Sequence, residues 1–219
     1  MDTKLSKIWS FLTNLKENNN RDWFQENKST YEEAHQLAKD FFNDVYKKIE
    51  QIDTVEPLKV YRIYRDVRFS KDKTPYKTHF SCFIGRQKPN ERGGFYIHLE
   101  PELSFIGGGF WGPEPKDLLR IRQEFLWDDE IVDILNHKDL KGFFGDLIGE
   151  ELKTAPKGFD KNHERIDLIR KKQFLFTKKF SNAEVENSQW INEIQKGYEL
   201  LLPFYHYMTS VLTTNSNGE

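Results

Sequence analysis

The sequence is poor in cysteine and has no long apolar stretch. Cys82 is its single cysteine in 219 residues, which excludes an intrachain disulfide and favours a reducing compartment. No apolar run approaches the roughly 20 residues that a transmembrane helix needs, and residues 1–7 lack the apolar core of a signal peptide. We therefore expect a soluble, cytoplasmic protein with no membrane partner.

The sequence also lacks a large excess of positive or of negative charge. The net charge of −2 argues against a protein that binds nucleic acid over its whole surface. The charge is unevenly distributed, however, because residues 59–92 contain ten Lys or Arg against three Asp or Glu. This local charge of +7 is offset by −9 in the rest of the chain, and it favours a local anionic partner.

The periodicity of apolar residues changes along the chain. Helical spacing is found in residues 4–18, 21–51 and 188–212, and alternating spacing dominates between them. This order predicts an α+β fold, with a mainly antiparallel central sheet framed by N-terminal and C-terminal helices. We expect residues 1–212 to form a single domain and residues 213–219 to be a disordered polar tail.

Four strands are predicted in the middle of the chain, at residues 58–69, 77–86, 93–100 and 103–109, and another at 173–180. Short connections favour antiparallel pairing in a meander. A weak strand is predicted at residues 140–148. In the first strand, alternation would place Arg62 and Arg68 on one face and Arg65 on the other.

Two further features of these strands have structural explanations. Cys82 lies in the middle of a predicted strand, where a free cysteine is often a small buried apolar residue. The glycine run at residues 107–109 lacks the spacing of a phosphate-binding loop. A run of this kind in a strand more often marks a bulge or a close backbone approach.

Six short runs of residues form a joint pattern across the chain. They are Asn18-Asn-Asn-Arg-Asp-Trp-Phe24, Arg62-Ile-Tyr-Arg-Asp-Val-Arg-Phe69, Lys73-Thr-Pro-Tyr-Lys-Thr-His79, Gly94-Phe-Tyr-Ile-His-Leu-Glu100, Gly107-Gly-Gly109 and Pro156-Lys-Gly-Phe159. Together they resemble the motifs of the family named domain of unknown function 2461, over roughly residues 8–212. His163 is followed by Glu164, where such proteins often have proline. The resemblance implies a single-domain protein and brings no established activity, cofactor or catalytic residue.

The basic and aromatic residues of the predicted sheet are the candidate binding site. Arginine presents a planar fork of donors that fits phosphate or carboxylate, and tyrosine adds hydroxyl groups or ring faces. We expect a strand face that binds a small anionic ligand. The candidate ligand-binding residues are Arg62, Arg65, Arg68, Lys73, Tyr76, Lys77, Tyr96 and His98.

Three residues are candidates for chemistry. His98 and Glu100 are two positions apart, so that they share a strand face, and either His98 or His79 would carry a proton while Glu100 orients one of them. Two histidines and a carboxylate also match an open iron-type site. Because the surrounding charge is cationic and no distance to His79 is fixed, we expect no metal. The sequence indicates no cofactor and leaves open whether the protein is an enzyme.

Two alternatives use the same residues differently. A non-catalytic module would bind nucleic acid or an acidic protein along the basic and aromatic strip, although nucleic acid is disfavoured by the net charge. A purely structural ion-pair network would have no ligand. That last alternative requires each arginine of the strip to be buried and paired.

Overall fold

The structure, a computed structural model, describes residues 3–214 and confirms the α+β class. Its sheet has five strands in the spatial order β1-β2-β3-β4-β5, each antiparallel to its neighbour. The strands are β1 Lys59–Val60, β2 Phe80–Gly85, β3 Gly94–Leu99, β4 Phe105–Phe110 and β5 Phe174–Lys179. The meander expected from the short connections is therefore present.

Helices precede and follow this sheet, as the sequence predicts. They are α1 Thr3–Glu17, α2 Arg21–Glu26, α3 Lys28–Glu50, α4 Pro115–Glu124, α5 Glu130–Asn136, α6 Lys138–Phe144, α7 Ile166–Ile169, α8 Asn182–Val185 and α9 Trp190–Thr213. Within residues 3–214, no helix combines the length and the apolar character that crossing a bilayer would require.

One face of the sheet holds the core. Phe95, Ile97 and Leu99 alternate along β3 and are almost fully buried. Phe80 on β2 stacks on Phe11 of α1, with ring centroids 6.1 Å apart, and α3 and α9 also pack against the sheet. Because side chains alternate along a strand, the residues between these core positions point to the opposite face, which we call the outer face. In β3 they are Tyr96 and His98.

The single helix expected over residues 21–51 is instead two helices that meet at Asn27. Asn20 caps α2, its side chain accepting from the Trp23 amide at 2.9 Å. The Asn27 side chain donates to the Trp23 carbonyl, also at 2.9 Å. Asparagine side chains compete with the helix for backbone groups, which explains why the second break occurs at an asparagine.

The predicted strand over residues 58–69 is wrong beyond Val60. The chain leaves the sheet and returns at β2, and we call the intervening residues 61–79 the basic loop. Its two arms run side by side, because the Arg65 amide donates to the Pro75 carbonyl at 2.9 Å and the Lys77 amide to the Ile63 carbonyl at 2.8 Å. Residues 66–74 form the tip between these arms.

Two other predictions are corrected. Residues 140–148 are not a strand, because α6 covers Lys138–Phe144 and buries Leu140 and Phe144 at helical spacing. The predicted disordered tail begins too early, since Thr213 ends α9 and Thr214 caps it. The remainder of that tail, residues 215–219, lies outside the described residues.

Candidate functional site

The arginines at the tip of the basic loop are paired within the loop itself. Arg65 contacts the Asp72 carboxylate and the Thr74 hydroxyl. Arg68 makes a two-point contact with Asp66, from Nε at 2.9 Å and from an amino group at 2.6 Å, although 77% of the Arg68 side chain is exposed. These arginines therefore lie in a loop and not on a strand face, and their charges are locally compensated.

Two more candidates also have local contacts. Lys73 donates to the Val67 carbonyl at 2.8 Å, which stabilises the loop tip. The Tyr76 ring is buried and stacks on Phe24 at 3.9 Å, while its backbone exchanges two hydrogen bonds with the Asn19 side chain. The structure therefore places Tyr76 in the core, where it joins the basic loop to the first helices.

Three cations close to the sheet form no ion pair within residues 3–214. The ammonium groups of Lys59 and Lys77 each lie 5.3 Å from the ring centroid of Tyr61. Burial lowers the pKa of Lys77, and the nearby charge of Arg62 lowers it further. Among the ion pairs within residues 3–214, none involves Lys59, Arg62 or Lys77. Lys59 and Lys77 thus have no ion-pair partner among these residues, and the charge of Arg62 acts on the Asp66 carboxylate without direct contact.

A chain of hydrogen bonds begins beside these cations. The Tyr61 ring lies 6.2 Å from the Tyr96 ring, and the Tyr96 hydroxyl is 3.1 Å from Nδ1 of His98. Nε2 of His98 is 2.8 Å from Oε2 of Glu100, whose other oxygen accepts from the Thr78 hydroxyl at 2.7 Å. Because a carboxylate only accepts, Nε2 donates to Glu100 and Nδ1 accepts from Tyr96 when His98 is neutral.

His79 joins this group from the end of the basic loop, directly before β2. Phe80 pairs with Leu99 in the β2–β3 register, so His79 comes next to Glu100 and points to the outer face. The His79 and His98 ring centroids are 4.0 Å apart. The ligand atoms of His79, His98 and Glu100 all lie within 4.8 Å of one another. The structure thus brings together the three residues that the sequence could not connect.

The protonation of the group follows from its burial. Burial lowers the pKa of His79 to about 4, and the neighbouring His98 contributes in the same direction. Burial alone would raise the pKa of Glu100, but hydrogen bonds from His98 and Thr78 outweigh it and the pKa is lowered. Near neutral pH the site therefore contains an ionised Glu100 beside a neutral His79.

A family model described as conserved hypothetical protein (DUF2461) matches residues 7–207. The chain belongs to the DUF2461 family. The DUF2461 match covers most of the chain and includes the basic loop, β2 and β3. No curated protein and no solved structure matches the chain. Family membership confirms the resemblance seen in the sequence motifs.

One buried network in this DUF2461 chain was not anticipated. Arg86 is fully buried and donates to Asp53 at 2.6 and 3.2 Å, while Asp53 also accepts from the Tyr198 hydroxyl at 2.6 Å. Glu91 and Thr209 lie against the same guanidinium. Arg65 and Arg68 are paired, as the ion-pair alternative expects, but they are not buried, and the fully buried ion pair is that of Arg86. In the sequence, only the position of Arg86 at the end of a buried strand could have indicated that it forms a buried ion pair.

Another groove lies away from the outer face. It has a volume of about 1180 Å³ and runs between α4 and α9, where Lys116, Arg120 and His206 are among its lining residues. None of the candidate site residues lines it. We regard the outer face as the candidate site, because there Lys59 and Lys77, which form no ion pair within residues 3–214, lie beside Tyr61 and the hydrogen-bonded chain from Tyr96 to His98.

Proposed function

We propose that the outer face of the sheet beside Tyr96 binds a small anionic ligand that carries a carboxylate or a phosphate. The observation that supports this most strongly is that, within residues 3–214, neither Lys77 nor Arg62 takes part in an ion pair. Two neighbouring positive charges repel each other, and the half-buried ammonium group of Lys77 is also partly desolvated. An anion bound between them would offset both costs.

The chemistry of these groups suits a small anion. The Arg62 guanidinium offers several donors in one plane, whereas the Lys77 ammonium acts as a compact charge. Arg62 is exposed, while Lys77 and Tyr96 are half-buried. The ligand would therefore enter through Arg62 and reach the more enclosed groups with one end.

The basic loop tip is a weaker candidate for this function. Arg65 and Arg68 already bind Asp72 and Asp66, so that an anion would have to displace a carboxylate from each. A nucleic acid would be expected to use several such exposed cations and to show a steep dependence on salt. Because the charges of the loop tip are already paired, we favour a small anion bound at the sheet over a nucleic acid bound at the tip.

A bound ligand would also meet groups able to exchange a proton. The chain from Tyr96 through His98 to Glu100 consists of consecutive hydrogen bonds of 3.1 and 2.8 Å. Such a chain supports general acid–base chemistry when it touches a reacting group. Any catalytic role would thus depend on His98 and on the orientation that Glu100 gives it.

The test is a thermal-shift titration of the purified protein in buffer containing EDTA. Inorganic phosphate, pyrophosphate, citrate and nucleoside monophosphates would be added to the wild type and to Arg62→Ala, Lys77→Met and Arg68→Ala. Arg68→Ala is the matched control, because Arg68 is a nearby arginine whose charge is already paired. A ligand that binds only the folded state raises the melting temperature with its concentration.

We expect at least one anion to raise the melting temperature of the wild type and of Arg68→Ala equally. The shift should be lost in Arg62→Ala and Lys77→Met, while their melting temperatures without ligand stay near that of the wild type. A shift that persists in both variants, or that disappears in Arg68→Ala, would contradict the proposed site. A single-stranded oligonucleotide would be added under the same conditions, and a shift that it alone produces and that modest salt abolishes would favour the nucleic-acid alternative.

A further inference from the structure

We propose that His79, His98 and Glu100 hold a divalent transition-metal ion on the outer face. The three residues form a group of two imidazoles and one carboxylate whose ligand atoms lie within 4.8 Å of one another. This donor set is the one found in catalytic zinc sites and in open iron sites. The assignment reverses our expectation from the sequence that no metal would be bound.

The ligand atoms of His79, His98 and Glu100 are close enough to bind one ion after a local movement of the side chains. Metal–nitrogen and metal–oxygen bonds of about 2.0–2.2 Å place neighbouring ligand atoms about 3 Å apart. Nε2 of His98 and Oε2 of Glu100 are 2.8 Å apart, so an ion bonded to both would lie roughly 1.5 Å to one side of the line between them, and both groups would have to turn toward it. In a tetrahedral or facial arrangement all three ligand atoms would lie roughly 3.0–3.4 Å apart, so His79 would need to approach by up to about 2 Å.

The remaining atoms of two ligands are already held in place. The Tyr96 hydroxyl lies 3.1 Å from Nδ1 of His98, which would become the protonated nitrogen once Nε2 binds the ion. The Thr78 hydroxyl donates to Oε1 of Glu100, leaving Oε2 for the metal. Outer contacts of this kind orient the ligands of metal sites.

His79 is the ligand with free coordinating capacity. Among the hydrogen bonds found in the described chain, none involves the His79 ring. Its position is fixed by the backbone at the start of β2 and by the ring contact with His98 at 4.0 Å. A half-buried imidazole that makes no hydrogen bond within residues 3–214, placed against a histidine–glutamate pair, is the arrangement that a third ligand would have.

The cationic surroundings oppose a metal less than the sequence suggests. Arg65 and Arg68 are compensated at the loop tip, and Lys77 is the cation whose field reaches His79. The ionised Glu100 acts on His79 with the opposite sign. At His79 the negative charge of Glu100 therefore offsets part of the positive charge of Lys77. The same carboxylate would partly neutralise a bound metal ion.

A three-residue site leaves coordination positions open for a ligand. An ion there would deepen the function proposed above, because the anion could bind the metal directly while Lys77 and Arg62 compensate its charge. Only this last step rests on the proposed anion binding. The metal test uses no anion, and the anion titration is done in EDTA, so that either proposal can fail without the other.

The experiment is a calorimetric titration of EDTA-treated protein with Zn²⁺, repeated with Co²⁺ by visible absorption. The wild type would be compared with His79→Ala, Glu100→Gln and Thr78→Val. His137→Ala is the matched control, because His137 is exposed and lies at the junction of α5 and α6. Circular dichroism and melting temperature would verify that each variant folds.

We expect one Zn²⁺ per chain in the wild type and in His137→Ala. Affinity should fall by more than ~100-fold in His79→Ala and Glu100→Gln, and by ~10-fold or more in Thr78→Val, which loses only an orienting contact. The proposal would be overturned if the wild type bound no Zn²⁺ at millimolar concentration. Equal affinity in the wild type and in a folded His79→Ala or Thr78→Val variant would overturn it as well.

Discussion

Nε2 of His98 lies 2.8 Å from Oε2 of Glu100, although His98 is at the penultimate position of β3 and Glu100 follows the end of the strand. The alternation of side chains puts both on the outer face. Thr78 fixes the second oxygen of Glu100, so the carboxylate has two hydrogen-bond donors and little freedom to turn. The pair is the fixed centre around which His79, Tyr96 and the unpaired cations are arranged.

Replacing Glu100 by glutamine should lower the stability of the metal-free protein. The substitution keeps the shape of the side chain but removes the charge that accepts from His98 and Thr78. Hydrogen bonds to a charged group contribute roughly 1.5–3 kcal/mol, and since glutamine retains part of these contacts, we expect a loss of about 1–2 kcal/mol in urea unfolding. Glu102→Gln is the control, because Glu102 is exposed and its contact with Asn182 tolerates an amide. Equal unfolding midpoints for the two variants would contradict the role of Glu100.

Gly109 and Gly142 should respond in opposite directions to alanine. Gly109 has a φ of +135°, and a Cβ there would lie 2.1 Å from the Phe174 carbonyl oxygen of the paired strand. Gly142 lies within α6, and a Cβ there would meet nothing within 4 Å. We expect Gly109→Ala to destabilise the protein by roughly 3 kcal/mol or more, and Gly142→Ala to stabilise it by about 0.5–1 kcal/mol.

Denaturant unfolding of both alanine variants measures these changes. If Gly109→Ala retained the stability of the wild type, then β4 and β5 would not approach as closely as described. A loss of stability in Gly142→Ala would argue against a helix at that position.

Much of the fold could be predicted because its patterns are strong. Phe95, Ile97 and Leu99 alternate with Tyr96 and His98, and the two predicted faces of β3 are confirmed, since the first three residues join the core and the other two form the hydrogen-bonded chain on the opposite face. The C-terminal helix was equally clear, since Ile194, Tyr198, Leu201, Tyr205 and Met208 recur at helical spacing and are all fully buried.

The basic loop could not be predicted, because its alternating residues imitate a strand. Tyr61, Ile63 and Arg65 follow the period of a strand, but Asp66 and Asp72 bond the loop's own amides and side chains. Such short acidic side chains stabilise turns in competition with a sheet.

The candidate site could also be predicted only in part from the sequence. The spacing of His98 and Glu100 is visible in the sequence, but the approach of His79 depends on the β2–β3 register.

The buried pair of Asp53 and Arg86 should determine how the protein responds to acid. Burial would raise the pKa of Asp53, but hydrogen bonds from Arg86 and Tyr198 outweigh it and hold the pKa below its ordinary value of 3.8. A carboxyl whose pKa is depressed by folding contributes stability above its unfolded pKa and loses it as the pH falls through the folded pKa. This contribution should be complete above about pH 4 and lost below it.

Asp53→Asn tests this directly. At pH 7 it leaves the buried Arg86 charge without its main partner, and we expect a loss of about 3–5 kcal/mol in the free energy of unfolding. The gap from the wild type should narrow as the pH falls below about 4, because Asp53 of the unfolded chain is protonated first and Asp53 of the folded protein only at lower pH. Asp66→Asn is the control, since Asp66 pairs with the exposed Arg68 and should have little effect. A gap that stays constant down to pH 2 would refute the linkage.

The most direct test of the central claim is to locate a bound anion by amide chemical-shift mapping. Isotope-labelled protein in EDTA would be titrated with whichever of phosphate, pyrophosphate or citrate raises the melting temperature. The account predicts concentration-dependent shifts at Arg62, Lys77 and the outer-face residues Tyr96 and His98, with the loop tip at residues 66–74 little changed. Shifts confined to that tip, or lying in the groove between α4 and α9, would contradict a binding site on the outer face of the sheet.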